Sequence, residues 1–262
     1  MKVLLGIPSG GAPAEPFLTS LHALQLPPCV TAFDRVVVQG NFVPAQRDLI
    51  VERAIAFGAD VLVMCDDDMV IPPGAVADLL AVLEADNRCA LAGALYYSRD
   101  GFRPMAVDAW DPADTTSACI PAFGTAPVCV DGVGFGCVAI RMDAVKAMEP
   151  PYFSSHVFLE RETLRVRVCD EDYLFCARLR ASGNRVILHP GVRCGHFDRA
   201  SGRSEPLAWE PLEVTSVRRM AVVRDGRPQL KAVENVPSQG ETHVRADVRY
   251  IYPGDLLRQT ST

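Results

Sequence analysis

Lysine is nearly missing from this chain: Lys2, Lys146 and Lys231 are the only three, and arginine supplies the other basic residues. With so much alanine and valine beside it, the arginine reads as GC-rich coding rather than as function. A basic excess is also missing. Lys and Arg number 26 against 32 Asp and Glu, giving a formal net charge of -6 and a pI near 5.4. That argues against an electrostatic nucleic-acid binder, although it leaves room for a small basic groove. No stretch approaches the roughly 18 apolar residues of a membrane-spanning helix. The first residues, Met1 to Pro8, turn polar too soon for a signal peptide. No CxxC occurs, and the nine cysteines (29, 65, 89, 119, 129, 137, 169, 176 and 194) are odd in number, several of them inside apolar runs. This pattern points to reduced thiols in a reducing compartment rather than a disulfide framework. Repeats and low-complexity tracts are absent too. What remains is an ordinary globular balance of 49% hydrophobic and 22% charged residues over 262 positions. The expectation is a soluble, cytoplasmic protein with one large α/β domain.

Short apolar runs alternate with helical spacing through the first third. Val3-Leu4-Leu5-Gly6-Ile7 is a buried strand stopped by Pro8-Ser9-Gly10-Gly11. Leu18, Leu21 and Leu24 suggest a first helix, and residues 35–39 a second strand. Residues 44–57 carry Leu49, Ile50, Ala54 and Phe57 at helical spacing, with Pro44 at the start and Gly58 at the stop. Residues 60–65 form a third strand that runs into Asp66-Asp67-Asp68, Pro72-Pro73 opens a helix through about Leu83, and residues 89–95 form a fourth strand. This β-α-β-α-β-α-β order predicts a mostly parallel sheet with helices on both faces. Beyond residue 96 the pattern loosens: residues 100–126 read as loop, 128–142 as strand, 170–181 as helix and 185–188 as strand. Residues 201–262 read as a polar extension with strand-like pieces at 220–223 and 244–252. The predicted division is 1–200 as one domain, with a nucleotide-binding half at 1–95 and an acceptor half at 96–200, followed by the extension.

Three clusters carry candidate chemistry. Asp66-Asp67-Asp68 are mutually repelling carboxylates at the carboxyl end of an apolar strand, where open α/β sheets bind ligands. Alternation along the strand would send Asp66 and Asp68 to one side, an arrangement suited to a hard divalent cation bridging to a diphosphate. The plain alternative is a solvated turn whose aspartates cap the next helix. In Asp170-Glu171-Asp172, Asp170 is a natural helix cap with two acids in the first turn, and the functional alternative is a general base at a helix N-terminus. His196 lies between Gly195 and Phe197 shortly after a strand, where a neutral imidazole could complete a carboxylate-bound metal site. Gly132-Val133-Gly134-Phe135-Gly136 is not a dinucleotide fingerprint, because strand-like residues follow it. It reads either as a glycine-rich bulge or as backbone that passes close to a ligand.

Taken in order, these features resemble the GT-A glycosyltransferases, in particular family 2-like enzymes of the small soluble kind found in bacteria and phages. The resemblance rests on Gln46-Arg47-Asp48 opening the second helix, on Asp66-Asp67-Asp68-Met69 with Ile71-Pro72-Pro73, and on the glycine loop with Ile140-Arg141. Pro150-Pro151-Tyr152-Phe153, Glu171-Asp172 and Gly195-His196 complete it. It implies that Asp68 and His196 hold Mn²⁺ or Mg²⁺ on the diphosphate of a UDP- or GDP-linked sugar, with Asp66 aiding the metal or the ribose. It implies that Pro8, Ser9, Gly10, Arg47 and Asp67 bind the nucleotide. Asp172, beside Glu171, would deprotonate an acceptor hydroxyl on a carbohydrate or other acceptor, for transfer with inversion. Gly132, Gly134, Phe135 and Gly136 would form the loop near the acceptor. The chain departs from the family in carrying Asp48 where asparagine is frequent, and Gln39-Gly40-Asn41 where Asp-Gly-Ser is usual.

Two alternatives differ in class. A nucleotidyltransferase shares the sheet and acidic site, yet its basic glycine loop is missing from residues 8–16, which hold no lysine or arginine. A non-catalytic nucleotide-sugar-binding module would be marked by loss of Asp68, Asp172 or His196, and all three are present. A homo-oligomer is a further expectation.

Overall fold

The computed structural model describes residues 1–99, 103–109, 118–119, 124–160, 165–204, 219–224 and 227–232. The predicted strand at 244–252 lies outside them. The chain divides into two units, Met1–Leu207 and Ala208–Thr262. In the second, Arg219–Arg224 and Arg227–Ala232 pair antiparallel.

The first unit is built on seven strands: β1 (Lys2–Ser9), β2 (Ala32–Gln39), β3 (Val61–Cys65), β4 (Cys89–Leu95), β5 (Val128–Val130), β6 (Cys137–Arg141) and β7 (Arg185–Arg193). Their order across the sheet is β2-β1-β3-β6-β4-β7-β5. Strands β1, β2, β3, β4 and β7 run one way, and β5 and β6 run the other. The helices are α1 (Glu15–His22), α2 (Val43–Phe57), α3 (Ala75–Ala85), α4 (Met142–Lys146) and α5 (Glu171–Ala181). The result is the expected α/β class with a mostly parallel sheet. Among the described residues no helix is long and apolar enough to cross a membrane.

The continuous apolar runs follow from cover on both faces. Val3, Leu5, Ile7, Val63 and Cys65 enter one core with Phe17 of α1 and Leu79 of α3, while Leu4, Leu62 and Met64 enter a second with Ile50 of α2 and Phe175 of α5. Gly6 is pinned between these layers, since a Cβ there would collide with Ile50. Left-handed glycines end two helices: Gly58 (φ 70°) after α2, as anticipated, and Gly183 (φ 81°) after α5.

The structure departs from the sequence reading in four places. Within residues 100–126, read as loop, Ala106–Asp108 and Ala118–Cys119 pair as antiparallel strands. In α1 the buried positions are Phe17 and Ser20; Leu18 is 39% exposed and Leu24 falls beyond the helix end. In α2 Leu49 is 48% exposed, and the polar Gln46 and Arg47 are buried instead. The single strand expected at 128–142 is broken at its glycines into β5, Gly132–Val133 and β6. Gly132–Val133 leaves the central sheet to pair with Ala106–Asp108.

Candidate functional site

The parallel strands β1 and β3 finish at the same edge, at Ser9 and Cys65. A cavity of about 670 Å³ opens there, lined by Pro8, Gly10, Asp66, Asp67, Asp68 and Glu171 among others. Three arginines, Arg47, Arg99 and Arg199, also line it.

The strand ends at Cys65, so alternation does not continue into the aspartates, and each meets a different partner. Asp66 receives Arg47 Nη2 at 3.0 Å. Asp67 receives the Ser9 hydroxyl at 2.6 Å and Arg199 at 3.2 Å. Asp68 receives Arg99 Nη2 at 2.5 Å and faces His196 Nε2 at 3.4 Å, both on Oδ2. Asp68 is 5% exposed, not the solvated strand-end carboxylate that its sequence position suggests. Burial would raise its pKa, but the bonds from His196 and Arg99 outweigh that and hold it below the ordinary value. For Asp66 burial wins over the attraction of Arg47 and lifts the pKa.

His196 reaches this place through a short strand, Gly195–Asp198, which pairs antiparallel with Met69–Val70 and sets His196 opposite Met69. Its Nδ1 lies 2.9 Å from the carbonyl of Tyr97. A carbonyl only accepts, so Nδ1 carries the hydrogen. Against the opposing effect of burial, Asp68 and the Tyr97 carbonyl raise the His196 pKa, so Nε2 donates to Asp68 when the ring is protonated and offers a lone pair to a cation when it is neutral. A backbone carbonyl behind one ring nitrogen is how metal-binding imidazoles are oriented. Asp68 and His196 would therefore suit a divalent cation, which would need further oxygen ligands beyond these two. Among the described residues no three or more His, Cys, Asp or Glu gather into a full ligand set.

Arg47 lines the cavity but is only 3% exposed. Its guanidinium joins Asp66 to Glu171, at 2.7 Å, and lies over the rings of Phe135 (5.1 Å) and Phe153 (5.9 Å). Its Nε has no hydrogen-bond partner in the protein. Burial works against the charge, yet Asp66, Asp172 and Glu171 outweigh it and raise the Arg47 pKa. The neighbouring Gln46 gives its side-chain amide to the carbonyls of Ser9 (2.7 Å) and Val38 (2.8 Å), fastening α2 to the ends of β1 and β2.

Glu171 and Asp172 stand in the first turn of α5, as expected. The cap differs: Asp170 occupies the N-cap position without a side-chain cap bond. Asp172 is also not the ordinary carboxylate that its place at a helix N-terminus suggests. It is 8% exposed, and burial pushes its pKa up to about 7 against the opposing charge of Arg47. Asp48, the family departure, accepts the backbone N–H groups of Tyr152 (2.9 Å) and Phe153 (2.8 Å). It anchors the Pro150–Phe153 segment rather than facing the cavity.

The glycine loop wraps a side chain. Gly136 N–H donates to the Tyr96 hydroxyl at 3.1 Å, and a Cβ on Gly134 would collide with that same oxygen. A Cβ on Gly132 would press on Tyr173 at 2.8 Å. Phe135 is fully buried against Phe153 and Phe175. Tyr96, 5% exposed and under the influence of both Asp66 and Asp172, has no counterpart in the sequence reading, and neither do Arg99 and Arg199. The two alternating glycines were the one local signal for Tyr96: a backbone that admits no Cβ has a bulky neighbour.

No protein-family model matches the chain, and no curated protein does. Solved structures do. The crystal structure of A197 from STIV aligns with TM-score 0.55 at 16% identity, over 93% of this chain and 100% of that one. The crystal structure of GalNAc-T7 with UDP, GalNAc and Mn²⁺ aligns with TM-score 0.49 at 14% identity, over 74% of this chain and 43% of that one. At 16% identity the likeness to A197 is one of fold. With the sheet order it shows an α/β, GT-A-like architecture.

Proposed function

We propose that this protein is a metal-dependent glycosyltransferase that moves a sugar from a nucleotide-sugar to an acceptor hydroxyl with inversion. The observation that carries the reading is the convergence of Asp68 Oδ2 and His196 Nε2, 3.4 Å apart, with the far ring nitrogen fixed on a carbonyl. Asp68 of that pair lines a cavity placed at the carboxyl ends of parallel strands, where nucleotides bind in open α/β sheets. A divalent cation held by Asp68 and His196 would neutralise charge on the departing diphosphate.

The chain's own residues supply the rest. Pro8 and Gly10 present backbone to the nucleoside, and Ser9 holds Asp67 so that this loop keeps its shape. Arg47 fixes Asp66 and Glu171 in place, and Asp172, 8% exposed and just behind the cavity-lining Glu171, is left as the carboxylate to take a proton. With a pKa near 7, Asp172 is balanced between its two forms at neutral pH, the condition in which a general base works best. It accepts the acceptor's hydroxyl proton as the new bond forms at the anomeric carbon and the bond to phosphate breaks. Glycines Gly132, Gly134 and Gly136 serve this site indirectly, by letting Tyr96 and Tyr173 pack beside the acids.

A thermal-shift series with UDP- and GDP-sugars, each with Mn²⁺ and with EDTA, tests the reading. A ligand bound to the folded state raises its melting temperature. A donor that stabilises only with Mn²⁺, and whose nucleoside diphosphate is released on adding acceptor, supports it. Equal shifts in EDTA and Mn²⁺ would remove the metal from the site.

A further inference from the structure

We propose that Arg99 is the resident counter-ion of Asp68, that it gives up this oxygen to the divalent cation, and that it then engages the donor's diphosphate, so cation and nucleotide bind as a pair. The inference rests on the functional reading above and adds a residue that this reading does not use.

Three arginines line the cavity, and two are committed. Arg47 is buried between Asp66 and Glu171. Arg199 is held by the Ala12 carbonyl at 2.7 Å as well as by Asp67. Arg99 has Asp68 as its partner, and 60% of its side chain is exposed while the carboxylate it meets is 7% exposed. The guanidinium is therefore anchored at one end only, by a contact on the oxygen that also faces His196. A divalent ion on Oδ2 and a guanidinium on the same atom would repel each other at close range. One of them must leave, and Arg99, on the solvent side, can.

The charge balance says where it goes. Asp66, Asp67, Asp68 and Glu171 face the cavity with three arginines, so the acids outnumber the arginines by one as it stands. A cation added alone would displace Arg99 with nothing to receive it. A diphosphate added alone would meet four carboxylates. Added together, the diphosphate takes the cation on one side and the freed guanidinium on the other, in the forked geometry that arginine forms with phosphate. Each ligand then raises the affinity of the other by the same factor.

The test compares wild type with Arg99→Ala and Arg99→Lys. Mn²⁺ binding is read from the free-ion electron paramagnetic resonance signal, without nucleotide and then with saturating UDP or GDP. Nucleotide binding is read by calorimetry with and without Mn²⁺. Because Arg99 is exposed, the alanine variant should fold, and circular dichroism checks this. In Arg99→Ala, Mn²⁺ alone should bind about tenfold tighter, nucleotide in Mn²⁺ should bind about tenfold weaker, and the coupling between them should shrink toward none. Arg99→Lys should fall between, keeping the charge without the fork. Unchanged Mn²⁺ affinity in Arg99→Ala, or loss of both affinities together, overturns the inference while leaving the metal site standing. Wild type that binds no Mn²⁺ with either nucleotide overturns the functional reading and this inference with it.

Discussion

The Ser9 hydroxyl donates to Asp67 at 2.6 Å, and that bond sets the middle aspartate apart from its two neighbours. Asp67 also receives Arg199, and its backbone carbonyl receives the N–H of Ala14 at 3.0 Å. The triplet is thus three posts with separate duties: Asp66 faces α2, Asp67 faces the loop after β1, and Asp68 faces His196.

It follows that Ser9→Ala should loosen the loop and leave the cation alone. Ser9 is 1% exposed, and its bond reaches a charged group, so the variant should lose about 1.5–3 kcal/mol of stability. Urea unfolding reads the loss. Nucleotide affinity should fall several-fold while Mn²⁺ affinity holds. A fall in both would mean that Asp67 belongs to the cation site after all.

Arg47 should behave as a buried strut. Removing one partner of a buried ion pair strands the others, so Arg47→Met should cost about 3–5 kcal/mol. Neutralising the stranded acids as well, in Arg47→Met with Asp66→Asn and Glu171→Gln, should recover much of the loss. If the triple variant is no more stable than the single one, the packing of the guanidinium on Phe135 and Phe153 matters more than its charge.

The strands and the acid triplet were legible because burial on two faces leaves unbroken apolar runs, and because three adjacent carboxylates have no use inside a sheet. The partners of those acids were not. Arg99 follows β4, Arg199 follows the His196 strand, and nothing local to either marks a tertiary ion pair across the cavity. The burial of Arg47 was hidden as well. Helical spacing marks which face turns inward but assumes that face to be apolar, and α2 turns inward with Gln46 and Arg47 because they answer backbone carbonyls and carboxylates there. Leu18 and Leu49 were misplaced for the same reason: a leucine on a helix is an inward marker only when the whole stripe agrees.

The glycine loop yields a cycle. Gly134→Ala sets a methyl against the Tyr96 hydroxyl, and such overpacking costs about 1–3 kcal/mol. Tyr96→Phe removes the oxygen and leaves the Gly136 N–H without its acceptor, at a similar cost. The double variant should lose less than the sum, because the closest collision is gone. Strict additivity would show that the glycine is required for some other approach, such as a ligand's.

The last prediction concerns Asp172. Its pKa in the folded protein is raised to about 7, whereas an unfolded aspartate titrates near 3.9. A base works in its ionised form, so kcat/KM should climb with pH, reach half its limit near pH 7, and level off above. Loss of a general base removes about 10²–10⁴-fold of rate, so Asp172→Asn should lower kcat by that order, erase the pH limb, and leave donor affinity within a few-fold. Asp170→Asn should leave kcat and donor affinity unchanged, because Asp170 makes no side-chain cap bond, while the pH limb moves slightly down, because the Asp170 charge helps to raise the Asp172 pKa. Stability gives an independent check. The folded state holds the Asp172 proton where the unfolded chain has released it, so this group's contribution is present at low pH and is lost as pH rises from about 4 to about 7. Asparagine has no such slope. The melting temperature of Asp172→Asn, measured against wild type, should therefore gain steadily across that window and hold its gain above it. A wild-type rate that is flat from pH 5.5 to 8, with no divergence of the melting curves, would mean that Asp172 carries its charge freely, and the role of base would pass to another group.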